Sequence, residues 1–325
     1  GGSVATSKQT LGVEGRGREL RASAPLMRSV LSTLGWWAVE NGCIWAPCIV
    51  AGRLFAIPGP TATFTETFLF FLGSAAVTIE LGFALQHFLV HTIFADTPRF
   101  TSGGPPAPAD GWRSGMLDFV KVMVPGLAVG SAIFTAAVRQ LRADPLAEMR
   151  QLTVADSGSA GGALGVRPAP FVLRLLLLRA MVDVLFYCVH RVLHWRSVYP
   201  SVHRTHHEHH SPSIWTNYHF SVLDLLLEAF APFTIGLIVM HTALGLCTTQ
   251  LELYGLLSYI MWYEVGSHCG KSVPTLTMFP PLSPLVRALY GDVDDRNALF
   301  HHSHHVLVFC NYGITQWCDL LLGSA

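Results

Sequence analysis

The chain has 325 residues, of which 51% are hydrophobic and 13% charged, about half the charged fraction of an ordinary soluble domain. Lysine plus arginine match aspartate plus glutamate at 21 each, so there is no cationic surplus to neutralise a phosphate backbone, which argues against nucleic acid as a partner. Against this apolar background stand 16 histidines, most of them in three short segments, 190–194, 203–210 and 301–305; the combination points to a membrane protein that holds metal.

In chain order, Gly1-Gly2-Ser3 has the composition of an appended tag, and residues 4–24 are polar and Arg-bearing without the apolar stretch of a secretory signal. A spanning helix needs about 20 mostly apolar residues. Residues 64–95, 116–138, 171–189, 222–247 and 251–265 meet that need. Residues 29–51 form a weaker sixth candidate, interrupted by Glu40 and Asn41. Breaks fall at Pro58-Gly59-Pro60, at Gly103-Gly104-Pro105-Pro106 and in a Ser/Gly run at 156–162. Lys8, Arg16, Arg18, Arg21 and Arg28 favour a cytosolic N-terminus, and four or six spans return all three histidine segments to the cytosolic side. One loop fits this poorly: 139–170 falls on the lumenal side yet carries Arg139, Arg142, Arg150 and Arg167. The seven cysteines are scattered with no Cys-x-x-Cys pair and read as small buried hydrophobes.

The histidine spacing carries the chemistry. His190 and His194 stand at i and i+4, about 5–6 Å apart on one helical face, so both can reach one ion. His203, His206 and His207 stand at i, i+3 and i+4, and so do His301, His304 and His305; each triad is expected on one helical face. His268, just past the last apolar stretch, is a ninth candidate. Nine imidazoles exceed what one four- to six-coordinate ion can use, which suggests two metals, and imidazole suits Zn, Cu, Fe and Ni alike. A zinc protease needs a glutamate after the first histidine of its pair, where this chain has Arg191. His209, His210 and His302 lie off the ligand spacing and are expected to support ligands or face solvent, His210 and His302 being kept as further ligand candidates. His87 and His91 form another pair inside an apolar stretch, read as packing or a cavity contact. Glu80 on the same stretch is expected to be neutral or hydrogen-bonded to a neighbouring helix, and Trp36-Trp37 to be an interfacial anchor.

With those residues in place, the chain resembles the fatty acid hydroxylase superfamily of integral-membrane di-iron enzymes. That group includes sterol C-4 methyl oxidases, sterol C-5 desaturases, fatty acid and sphingoid-base hydroxylases and plant wax aldehyde decarbonylases. The likeness covers about residues 170–324. It includes His190-Arg-x-x-His194, Tyr199, His203-Arg-Thr-His-His-Glu208 and Pro212, then His268-x-Gly270, His304-His305, Asn311-Tyr312 and the closing Trp317-x-Asp319-x-x-x-Gly323-Ser324. Many members carry His-Pro-Leu-Glu after the second cluster, where this chain has Ser221-Val222-Leu223-Asp224; the nearest histidine, His219, becomes a candidate ligand or ligand support. Members also continue past the closing Gly-Ser, which points to a trimmed C-terminal tail.

The resemblance implies an all-α, polytopic membrane helical bundle of four to six spans with a cytosol-facing, His-rich di-metal helical cap. It divides the chain into a polar tail (1–28), N-terminal membrane helices (29–169) and a di-iron domain (170–325). It implies two iron ions, with zinc as a substitute in purified protein, O2 as co-substrate, and an endoplasmic reticulum membrane. Electrons would come from cytochrome b5 and an NAD(P)H-dependent reductase, since the chain shows neither a cytochrome b5-like His-Pro-Gly-Gly nor a dinucleotide fingerprint. Metal-bound imidazoles usually donate their second N–H to a carboxylate or carbonyl; Asp183, Asp224, Glu228, Glu264 and Asp319 are the candidate partners. The expected reaction is hydroxylation of a sterol, acyl chain, sphingoid base, terpenoid or polyketide drawn from the bilayer. The alternatives are a desaturase using the same site, a His-rich membrane metal transporter and a zinc-loaded hydrolase.

Overall fold

The computed structural model describes residues 30–100, 111–141, 144–156, 166–273, 280–285, 293–306 and 309–324. The expected tail 1–28, the turn at 103–106 and most of the 156–162 run lie outside them. All regular structure among the described residues is helical apart from one isolated antiparallel bridge between Arg99 and Lys271.

Helix α1 spans Val30–Leu54 and α2 spans Phe64–Phe88, the latter running on through a π turn, Leu89–Ile93. Next come α3 (Gly111–Asp118), a second π turn (Phe119–Met123) and α4 (Val124–Leu141). Helices α5 (Ala147–Asp156), α6 (Pro168–Leu193) and the single turn α7 (Tyr199–Val202) follow. Then α8 (Val222–Leu225), a third π turn (Leu226–Phe230) and α9 (Ala231–Thr242) form one rod. The chain closes with α10 (Gln250–Ser267), α11 (Val293–Val306) and α12 (Gln316–Leu322).

Three of these rods, Phe64–Ile93, Trp112–Leu141 and Val222–Thr242, are long and apolar enough to cross a membrane. Their outward side chains, among them Leu69, Val120, Ile133 and Ile235, are large hydrophobics left exposed, the surface an integral membrane protein presents to lipid. The expected stretches 29–51, 171–189 and 251–265 also form helices, but α6 carries Arg174, Arg179 and Asp183 along its length and α10 has only 18 residues. Helix α10 is instead the centre of the bundle. It packs on α1, α2, α6 and α11, and Tyr254, Leu256, Tyr259 and Trp262 are buried at its heart. Helices from both sides of residue 170 therefore share one core, with Ile44 and Cys48 of α1, Phe70 and Phe71 of α2, and Leu175 and Leu178 of α6.

Local chemistry sets the starts of the two helices that frame this core. Thr63 and Glu66 form a reciprocal capping box at α2, and Thr249 and Glu252 form another at α10, satisfying orphan N–H groups. Buried Glu252 also receives the Arg167 guanidinium at 2.6 Å. Three of the arginines that strained the topology reading are thus engaged within the fold, Arg142 lying outside the described residues: besides Arg167, Arg139 donates to the Ala62 carbonyl at 2.8 Å and Arg150 to that of Pro58 at 2.6 Å.

Gly126 and Gly130 sit one turn apart on α4, where an added Cβ would come within 2.6 Å of Leu225 and 2.6 Å of Phe230 respectively. Small residues at this spacing let membrane helices approach closely. They seat the third π turn, and Glu228 within it, beneath the histidines.

Candidate metal centre

Four pieces of chain supply the histidines. His190 lies in the last turn of α6 and His194 is its C-cap. His203 follows the single turn α7, while His206 and His207 stand in a tight 3-10 turn, His206–Glu208. His268 is the C-cap of α10, and His301, His304 and His305 belong to α11. All nine are buried, His203, His304 and His305 completely.

They sort into two groups. His190, His194, His203, His207 and His304 converge in one, and His206, His268, His301 and His305 in the other; within each group the candidate ligand atoms lie within 4.8 Å of one another. In the first, the Nε2 atom of His190 is 3.0 Å from that of His203, 3.1 Å from that of His304 and 3.3 Å from that of His194. In the second, His268 Nε2 is 2.7 Å from that of His301 and 3.3 Å from that of His206, and His305 Nε2 is 3.3 Å from that of His301.

The outer nitrogens decide what these contacts mean. His190 Nδ1 faces the Tyr312 carbonyl at 2.7 Å, His304 Nδ1 that of Cys310 at 2.6 Å and His268 Nδ1 that of Glu264 at 2.9 Å. His206 Nδ1 faces the His219 carbonyl at 3.3 Å, and His203 Nδ1 faces the Asp224 carboxylate at 2.9 and 3.0 Å. Carbonyl and carboxylate oxygens only accept, so each of these Nδ1 atoms carries the proton and each Nε2 presents a bare lone pair. Burial, with neighbouring imidazoles adding to it, holds His206, His207, His301 and His305 well below the ordinary histidine range; burial foremost takes His268 down to about 4 and His304 to about 3. These six rings are therefore neutral. Converging neutral lone pairs repel one another unless a cation lies between them. Nitrogens bound to one ion at about 2.1 Å would stand about 3.0 to 3.4 Å apart, which the contacts within the groups match except for His268–His301, shorter at 2.7 Å. The donor set fits two metal ions.

The triads do not present single faces, which corrects the helical-face reading. His203 and His207 turn to the first group and His206 to the second, because the 3-10 turn sets the adjacent rings at 85°. On α11 the i, i+4 pair His301 and His305 serves the second group, and His304, on a different face, serves the first.

The remaining candidates take other places. His219 is in neither group: its Nδ1 meets Asp118 at 2.7 Å, its ring stacks on His209, and only its carbonyl touches a grouped imidazole. His302 is buried against Phe100 and His210 is exposed, both outside the groups. His87 and His91 pair with each other at 4.4 Å, apart from the groups. Glu80 accepts the Tyr218 hydroxyl at 2.7 Å, the contact between neighbouring elements that its position called for.

Among the carboxylates, Asp224 orients His203 directly. Asp319 accepts the Tyr312 and Gly313 N–H groups at 2.9 and 2.7 Å, and Asp183 that of Thr315 at 3.0 Å; both therefore shape the turn whose carbonyls hold His190 and His304. Glu264 acts on His268 through its backbone. The carbonyls of Cys310, Tyr312 and Glu264 were invisible to side-chain reasoning, although the Asn311-Tyr312 pair marks their loop: Asn311 adopts a left-handed φ of 62°, which asparagine tolerates.

The sequence pattern described as fatty acid hydroxylase matches residues 175–324, from α6 to the end of the closing turn. This segment, a little under half of the chain, is similar to the fatty acid hydroxylase family. All nine grouped histidines lie inside the matched segment. Relatives include the human fatty acid hydroxylase domain-containing protein 2, 27% identical over 47% of this chain and 39% of its own length. Methylsterol monooxygenase 2-2 of Arabidopsis thaliana is 31% identical over 44% of this chain and 48% of its own. Fatty acid hydroxylase ahd1 of Mycosarcoma maydis is 28% identical over 54% and 38%. The match thus spans half or less of each of these curated relatives, and no solved structure matches the chain.

Proposed function

We propose that this chain is a membrane-bound, di-iron lipid oxygenase that hydroxylates a C–H bond of a lipid-like substrate with O2 and electrons supplied from outside. The observation that carries the reading is the pair of buried histidine groups with protonated outer nitrogens and bare, converging inner ones. In balance, R–H, O2, two electrons and two protons give R–OH and water. Iron held in these groups would supply the O2 and electron chemistry that an unactivated C–H bond requires. The protein's own part is to fix each imidazole by its outer hydrogen bond, to keep the site dry and to place the substrate.

Placement follows from an apolar pocket between α2, α4, α9 and α10, lined by Phe71, Ile79, Met123, Phe230, Leu237 and Ile260 among others. Leu225 and Ala229 also line it, and they flank Asp224 and Glu228, so the cavity lies along the element that borders the first histidine group. Its lining offers hydrocarbon contact and no charged side chain, which suits an acyl chain, sterol or terpenoid body. The groups lie at the C-terminal ends of α6 and α10, where a cytosolic reductant such as cytochrome b5 with its NAD(P)H-dependent reductase could reach them. A transporter would set its ligands near the bilayer midplane on broken helices.

The test is untargeted lipid analysis of a host expressing the chain or its His304→Ala variant. The native chain should yield a lipid that has gained one oxygen, dependent on O2 and reductant, and His304→Ala should lose it while still inserting in the membrane. Loss of two hydrogens instead would identify a desaturase. Metal flux into liposomes without any oxidised product would overturn the oxygenase reading.

A further inference from the structure

Two of the rods that wall the apolar pocket run side by side away from the histidines: Gly126 and Gly130 of α4 face Leu225 and Phe230 in step. Both rods are long and apolar enough to cross the membrane, so their far ends, Leu141 and Thr242, stand at the opposite end of the bundle from the metal centre. A second pocket lies there, between α4, the start of α5 and the end of α9. Phe134 and Leu237 line both pockets. The two therefore adjoin along one line from Leu225 to His241, about 24 Å long at 1.5 Å per residue.

The ends of that line differ in chemistry. The pocket nearer the histidines is walled by hydrocarbon; Ser74 at its edge donates to the Phe70 carbonyl at 2.6 Å, and the Tyr254 hydroxyl accepts from Gln250 at 2.9 Å. The far pocket is lined by Glu148, His241, Thr242, Cys247 and Thr248. There the Cys247 thiol donates to Glu148, and Thr248 Oγ1 stands 3.2 Å from His241 Nε2. A carboxylate accepts several hydrogen bonds at once, and among the described residues no lysine or arginine lines either pocket. The far end thus suits a group that donates hydrogen bonds, and its carboxylate repels an anion.

We infer that the two pockets together hold one amphiphile, a single-chain lipid whose hydroxyl or amine head lies by Glu148 and His241 and whose hydrocarbon runs past Phe134 and Leu237 toward Leu225. Leu225 adjoins Asp224, the carboxylate that holds His203. This rests on the reading that the histidines hold the oxidising metals, and it adds where oxidation falls: on the hydrocarbon end, remote from the head. The reverse orientation would place a polar head among hydrocarbon walls, where burial without a partner is costly. With the head at the far end of the rods, it stays at a membrane face and only hydrocarbon enters the apolar pocket.

The experiment uses the full chain in detergent and two photoreactive octadecanols, one carrying a diazirine beside the hydroxyl and one at the chain end, with the crosslinked peptides mapped. The first should label residues 145–149 and 237–248, and the second residues 225–230. Octadecanol and octadecylamine should compete for the labelling, and stearate should compete at least about 10-fold less well. Glu148→Leu should weaken octadecanol by a similar factor while the bound metal content stays at the native value. An exchanged labelling pattern, or stearate competing as well as octadecanol, would overturn the inference. Octadecanol oxidised beside its hydroxyl would overturn the orientation and leave the oxygenase reading standing. Labelling as expected, with no oxygenated product from any lipid, would support the pocket and overturn the oxygenase reading instead.

Discussion

At the residue scale, the centre is a problem in tautomers. A neutral imidazole carries one proton, and whichever nitrogen holds it cannot bind metal; the surrounding carbonyls and Asp224 settle this for His190, His203, His206, His268 and His304 by accepting from Nδ1. The histidine spacing showed which residues could gather, whereas the proton placement came from backbone carbonyls that no motif displays. Asp224→Asn replaces an acceptor-only group by one that can present N–H to His203 and release it from its orientation. The first ion should bind about 10- to 100-fold more weakly with little change at the second, as measured by competition with a chelating dye. Gly270 of the His268-x-Gly270 pair shows a motif whose reason is steric: its φ is +67° and an added Cβ would lie 2.6 Å from the Pro212 carbonyl.

At the scale of elements, helices were legible from apolar stretches and capping residues, and the three rods now seen as long and apolar enough to cross a membrane all lie on stretches read from composition. Their π turns were not legible, because the extra residue per turn arises from packing and not from any local signal. The third π turn needs α4 close beneath it, which Gly126 and Gly130 permit. Gly130→Val should therefore press on the Phe230 ring and push the two rods apart, costing about 1–3 kcal/mol as overpacking does, read as a lowered unfolding midpoint in detergent. A midpoint equal to the native value would show that the close approach is not required. Likewise, the two triads were expected to act as single faces. Each is divided between the two groups because neighbouring helices approach from different sides.

At the scale of the whole molecule, the histidine groups tie α6, the 203–208 turn, α10 and α11 together at the end of a bundle whose apolar contacts lie elsewhere. Bound ions should thus stabilise the fold: an ion present at 100 times its dissociation constant contributes about 2.7 kcal/mol. Removing metal with a chelator should lower the unfolding midpoint, and re-adding it should restore it. Acid should destabilise the metal-free protein further. His268 at about 4 and His304 at about 3 bind protons less readily folded than unfolded, where histidine titrates near 6.5, so stability present above about pH 6.5 is lost as pH falls below it. Unfolding measured from pH 8 to pH 5 should show that decline, and a flat profile would contradict the buried neutral state of these rings.

The sequence by itself pointed to an apolar medium, the helical class, the family resemblance and the nine histidines, because hydropathy, spacing and motif are properties of the chain in order. Only the tertiary structure decided how those histidines divide into two groups and which nitrogen of each ring faces inward. Those outcomes depend on residues far apart in the chain meeting in space, such as His190 with Tyr312 and His203 with Asp224, and on a buried setting where every proton and charge must find a partner.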